Sequence, residues 1–262
     1  MKYLNKVNPA NTREGERKMS AETTDIVTKL EKLTIWPQIP EIARKRADKG
    51  IPDPEFDNLI KAMQCYKNGQ LIRLNLGESD FVQLLKWGKF YRDWFQMELD
   101  LETFLPLVPK PKKGFGTLIV IPQSITIDDV WAESSKKYSC WKIFNKSLQQ
   151  VITSNERNCG AYVLRTRGRD DADAELNNKS ALDLQDAKIQ TETYLEYLIQ
   201  HGFIWATTGR HIDVKTITLC SGSRSAGGSV PSGSWFDDKL HVFKYSSVFA
   251  HDNLRAREVV SL

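Results

Sequence analysis

Residues 212–235 read IDVKTITLCSGSRSAGGSVPSGSW, and how this stretch is interpreted decides how the rest of the chain is assembled. A short apolar run, ITLC at 217–220, gives way to a segment made almost wholly of serine and glycine, with Arg224 inside it. Residues 214–220 carry the β-branched and apolar side chains of a strand. The serines and glycines that follow read as a loop. A helical pattern from about residue 190 to 208 leads into the strand. Tyr194, Leu195, Leu198, Ile199 and Trp205 lie at helical spacing there, and Gly209 is placed as a C-terminal cap. Gly202 weakens that helix from within. After the loop, LHVFKY at 240–245 reads as a final strand.

The same alternation extends upstream. TLIVI at 117–121, stopped by Pro122, is a buried strand by composition. Residues 127–138 form a helix with Asp128 and Asp129 in its first turn and Lys136 and Lys137 in its last, the order the helix dipole favours. Residues 141–144 are ambiguous, and 146–151 are helical. AYVLRTR at 161–167 is a second strand, running into the acidic stretch Asp170, Asp171, Asp173 and Glu175. This order of strands and helices indicates an α+β protein: a helical N-terminal region followed by a mixed α/β sheet domain over 117–262.

A boundary is expected at 105–116, where Pro106, Pro109 and Pro111 alternate with Lys110, Lys112, Lys113, Gly114 and Gly116 and read as a linker. The region 21–104 before it is helical by pattern, with segments at 24–33, 41–49 and 53–69. Its best helix spans 79–99, where Phe81, Leu84, Leu85, Trp87, Tyr91, Trp94, Phe95 and Met97 make a wide apolar stripe suited to a core. Residues 1–20 are polar, basic and aperiodic, and are expected to be disordered. A translation start at Met19 is the alternative reading of that segment.

The 262 residues are 40% hydrophobic, enough for a real core. The formal charge of +4 points weakly toward nucleic acid, but Lys2, Lys6, Arg13, Arg17 and Lys18 against Glu14 and Glu16 account for most of it. The remainder is near neutral with its signs interspersed, so a phosphate-backbone binder is disfavoured. Cys65, Cys140, Cys159 and Cys220 form no CxxC pair, which fits buried reduced thiols in a cytoplasmic protein. No apolar stretch is long enough to span a bilayer, and no membrane association is expected.

TLIVIP, KKYSCW, AYVLRTRGRDDADAELNNKSA, TGRHIDVKTITLCSGSR and the terminal LRAREVVSL together resemble a family of uncharacterised bacterial proteins. The resemblance covers roughly 100–262. It implies a shared fold and a bacterial source, and it transfers no catalytic residue.

Three sets of side chains carry candidate chemistry. The loop 221–229 offers hydroxyls and backbone N–H groups at Ser221 and Ser223, and Arg224 is able to fork onto an anion. It lacks the P-loop pattern, and a flexible strand connection needs the same residues. His211, at the turn before the strand, is the histidine placed to join such a pocket. Arg165, Arg167 and Arg169 alternate on one face of a strand and its exit. They suit either nucleic acid or charge pairing with the neighbouring aspartates, of which local pairing is preferred. The acidic run 170–175 invites a metal reading, but it has no calcium-loop spacing and serves equally as a helix first turn. His201, His211, His241, His251 and Cys220 show no zinc-ligand spacing. No metal site and no cofactor are assigned. The expectation is therefore a binding or interaction module with a protein partner. An enzyme or sensor for a small anionic ligand at Ser221, Ser223, Arg224 and His211 is the alternative, and a nucleic-acid-binding protein the second.

Overall fold

The computed structural model describes residues 78–157 and 160–262. The expected tail at 1–20, the start at Met19 and the helical segments before residue 78 lie outside the described residues. Within them the chain is α+β, as the sequence pattern requires.

Strand β1 (Thr117–Ile121) is apolar at every position but its first, and Leu118, Ile119, Val120 and Ile121 are buried. It pairs antiparallel with β4 (Tyr162–Thr166), Ile119 opposite Leu164, and β4 pairs in turn with β10 (Val259–Val260). This three-stranded sheet has the order β1-β4-β10, so β1 is an edge. The edge is covered by helix α1 (Glu78–Phe95), whose Trp87, Phe90, Tyr91 and Trp94 are all buried.

Helix α1 and the 105–116 segment therefore belong with the sheet. Residues Ser79–Leu262 form one compact unit, which places the boundary at about residue 78 and not at the Pro/Lys/Gly stretch. The physical reason is local. Leu105, Val108 and Phe115 are buried, and the carbonyl oxygen of Pro109 accepts a 2.7 Å hydrogen bond from Arg165 Nε. Pro106 lies inside a one-turn 3-10 helix, Leu105–Leu107, and the chain around it is packed.

A second sheet has five strands in the order β2-β8-β7-β5-β9. Here β2 is Cys140–Lys142, β5 Ile217–Leu219, β7 Val230–Phe236, β8 Lys239–Tyr245 and β9 Leu254–Arg255. Strands β7 and β8 make an antiparallel hairpin, and β2 and β9 join in parallel on opposite sides. The serine/glycine loop expected at 221–229 is interrupted by one short strand, β6 (Ser223–Ser225), which pairs with β3 (Ile152–Asn155), and β7 begins five residues later. Helix α3 (Ile127–Lys137) has the expected acidic start and basic end, with a Thr126–Asp129 capping box.

Helix α6 (Tyr194–Thr208) packs against β1, β7 and α3. It is buried nearly all round over its first nine residues, as a helix between two sheets must be. A Thr193–Glu196 capping box starts it, and Gly209 ends it in the left-handed conformation at φ 70°. Gly202, which weakened the sequence reading, is explained by contact: a Cβ there would lie 2.9 Å from the Trp94 ring of α1. The short helix α5 (Ala181–Asp186) lies on the opposite face of the five-stranded sheet, where Ala181 packs with Leu219, Val230 and Leu254. It covers only one end of that face.

Candidate functional site

The uncovered end of the outer sheet face carries the site. In β8, Leu240 and Val242 are fully buried toward α6, so period-2 alternation turns His241, Phe243 and Tyr245 outward. The register sets Ser232 opposite Phe243 and Ser234 opposite His241 on the neighbouring strand. Small side chains on β7 beside large ones on β8 leave a trough, and Ile217 of β5 forms its far wall. The resulting cleft has a volume of about 420 Å³, with the 213–216 turn, Trp235, Phe236 and Asn253 completing its lining. That is the size of a small-ligand pocket.

Two polar atoms in this lining stand out. Ser232 Oγ and His241 Nε2 are buried, and neither makes a hydrogen bond among the described residues. Buried polar groups are almost always paired, because leaving one unpaired costs roughly 1–3 kcal/mol. Around them the rings are dense. Trp141 lies 5.1 Å from His241, Phe236 5.9 Å from His241, and Phe243 5.5 Å from Tyr245, whose ring stacks on Phe249. Trp141, Phe236, Phe243 and Phe249 are all exposed.

One end of the cleft is held by a buried charge network. Asp213, in the left-handed region at φ 55°, accepts at Oδ1 from Ala172 N, Thr216 Oγ1 and Arg257 Nη2, and at Oδ2 from Thr218 Oγ1. The carbonyl oxygen of Asp213 accepts from Trp235 N, tying the turn to β7. Arg257 is fully buried and spends its remaining donors on Thr218 Oγ1 and the carbonyl oxygens of Arg169 and Asp170. Burial opposes its charge, but the fields of Asp213 and then Glu192 outweigh burial and raise its pKa. Glu192 itself is fully buried with neither carboxylate oxygen hydrogen-bonded among the described residues. Burial pushes its pKa well above the ordinary carboxylate range, against the pull of Arg257.

The residues singled out in the sequence fall in three places, none of them the cleft. Ser221, Ser223 and Arg224 gather at the N-terminal end of α6. Ser221 Oγ meets Thr191 Oγ1 at 2.6 Å, Ser223 Oγ accepts from Tyr194 N and bonds Asn155, and Arg224 Nη1 donates to the carbonyl oxygens of Ser221 and Ser223. These groups hold the β3–β6 pair onto the helix start.

His211 follows the other end of the same helix, which at 15 residues is about 20 Å long. It stacks on Trp235 with ring centroids 3.3 Å apart, and its Nδ1 lies 3.0 Å from His201 Nε2. His211 and Arg224 therefore do not meet in one pocket. Burial lowers His201 to about 3, with His211 and Arg257 adding to the effect. Burial also lowers His211 to about 4, against the field of Asp238.

The arginine row is consumed internally. Arg165 makes a buried bidentate pair with Asp80 at 2.8 and 2.7 Å. Arg167 binds Asp173 and Glu258, each at 2.6 Å, and Arg169 pairs with Glu175. Charge pairing is what the row does, but of the neighbouring aspartates only Asp173 takes part: Asp170 pairs with Arg210, and Asp80 and Glu258 come from far away in sequence. Among the described residues no group of three or more His, Cys, Asp or Glu is arranged to hold a metal ion, and no helix is long and apolar enough to cross a membrane.

The cleft was missed because its floor is written in serine and glycine, which mimic a loop. The available signal was LHVFKY, whose alternation places His241, Phe243 and Tyr245 on one face. Comparison of the chain with family models, curated proteins and solved structures gives no match.

Proposed function

We propose that this chain is a cytoplasmic binding module that holds a small, ring-bearing ligand in the cleft between β7, β8 and β5. The observation that carries the reading is the trough itself, with Ser234 and Asn253 open to it between the rings of Phe236, Phe243 and Tyr245. Apolar walls with a few convergent polar groups are how proteins bind small molecules. Asp213, His241, Ser232 and Ser234 all line the cleft, but no hydrogen bond joins His241 Nε2 or Ser232 Oγ to another group among the described residues, and the Asp213 carboxylate already accepts four hydrogen bonds. Binding without chemistry is therefore preferred over catalysis.

The test is ligand-observed NMR with a mixture of ring compounds, such as indole, phenol, a nucleoside and simple glycosides, on the native chain and on Ser234→Phe. Ser234 is partly exposed on the trough, so phenylalanine there fills the cleft from the sheet side. Saturation transfer to at least one compound, abolished in the variant at unchanged melting temperature, is the expected result. Equal signals from both proteins for every compound would refute the reading.

A further inference from the structure

We infer that the ligand of this cleft is a sugar ring, an inference that rests on the binding reading above. The cleft is two-sided: Phe243 and Tyr245 wall one flank with aromatic carbon, while Ser232 and Ser234 line the floor and Asn253 the rim with groups that both donate and accept. A pyranose has the same division. Its C–H face packs on an aromatic surface, and its hydroxyls need partners that can donate and accept alike.

Charge narrows the choice. Asp213 lines the cleft, but its carboxylate is neutralised by Arg257 at 2.8 Å. Lys215 is the one cation in the lining, its side chain lies at the exposed rim, and its backbone N–H donates to the Asp171 carboxylate. An anionic ligand would find no buried counter-charge. A single-stranded nucleic acid needs a basic groove beside its stacking rings, and the arginines that would supply one are paired elsewhere, Arg165 with Asp80 and Arg167 with Asp173 and Glu258. A neutral ring rich in hydroxyls meets the Ser234 hydroxyl, the Asn253 amide and the aromatic flank without adding charge.

The experiment is a titration of isotope-labelled intact protein, followed by amide shifts. The probes are methyl β-glucoside, methyl α-mannoside, N-acetylglucosamine, adenosine and benzoate, run in parallel on the native chain, Phe243→Ala and Ser234→Phe. Phe243 is 39% exposed, so its removal should leave the fold intact, and the melting temperature checks that. The expected result is saturable shifts at Ser232, Ser234 and Phe243 with at least one glycoside, about tenfold weaker in Phe243→Ala and absent in Ser234→Phe. Saturation by adenosine or benzoate with no glycoside binding overturns the sugar assignment and leaves the cleft reading standing. No shift at these residues with any probe overturns both.

Discussion

The Tyr91 hydroxyl donates a 2.6 Å hydrogen bond to the carbonyl oxygen of Val120, from one helix to the open edge of one strand. One turn earlier Trp87 Nε1 donates to the carbonyl oxygen of Leu118 at 3.0 Å, and one turn before that Gln83 bonds the carbonyl oxygen of Gly116 and the N–H of Leu118. The spacing is a pitch match. Four helical residues advance about 6 Å and two strand residues about 6.6 Å, so side chains at i, i+4 and i+8 reach backbone groups at j, j+2 and j+4. Helix α1 thus stands in for a missing strand and closes an edge that would otherwise invite pairing with another chain.

Tyr91→Phe tests this edge cover with little change of volume. It leaves the Val120 carbonyl buried and unsatisfied, so stability to urea should fall by about 1–3 kcal/mol. Amide exchange should quicken along β1 and little elsewhere. Uniform loss of protection across the sheet would argue that Tyr91 acts only through packing.

Gly233→Ala probes the opposite side of α6. A Cβ on Gly233 would fall 1.9 Å from Cε1 of Tyr197, and both Val242 beside it and the Tyr197 ring are fully buried. There is no room to yield without lifting the helix off β7. A loss of about 3 kcal/mol or more is expected by thermal or urea unfolding. Gly227→Ala, with nothing within 4 Å of the added carbon, is the control and should change stability by well under 1 kcal/mol.

Gly209 and Gly233 mark where the sequence was legible. Gly209 could be placed as a helix cap because a cap is a local event, fixed by the periodic residues just before it. Gly233 could not, because its reason is a tyrosine 36 positions away on another element. The same distinction covers the elements. TLIVI, the capped helix at 127–137 and LHVFKY declare themselves through short-range pattern, and the structure has them within a residue or two. Strand β7 was hidden, since SVPSGSW owes its conformation to ladders with β5 and β8 and not to propensity. Arg257 and Asp213, 44 positions apart, gave no local sign of meeting.

Glu192→Gln should stabilise the protein at neutral and alkaline pH. Burial dominates the upward shift of the Glu192 carboxyl, with Arg257 opposing it less strongly. A carboxyl whose folded pKa lies above its unfolded value favours folding fully below about pH 4.5, and that advantage is lost as pH rises through the folded value. Glutamine keeps the shape and removes the ionisation. The variant's melting temperature should exceed that of the native chain at pH 8, and the difference should shrink toward pH 4. A variant less stable at pH 8 would show that the attraction between Glu192 and Arg257 outweighs burial.

The paired histidines act in the opposite sense. His201 and His211 titrate near 3 and 4 in the fold, below the ordinary 6.5, because burial disfavours their charged forms. As pH falls below about 6.5 the unfolded chain takes up protons that the folded chain refuses. Stability therefore drops by up to about 1.4 kcal/mol per pH unit for each such proton, until the folded values are reached near pH 4 and below. Above about pH 7 the pair contributes no slope. The 3.0 Å contact between His201 Nε2 and His211 Nδ1 sharpens the effect, since only one proton fits between the two rings. His201→Gln removes the more deeply buried group and should make the loss of stability between pH 6.5 and pH 4 measurably shallower in urea titrations. Carboxylates held down by arginine, such as Glu175 at about 2, lose their contribution only below pH 4.5, and the opposing slope of Glu192 above that pH is common to both proteins, so the difference between variant and native chain isolates His201. An unchanged slope between pH 6.5 and pH 5 in the variant would mean that His201 does not carry this dependence.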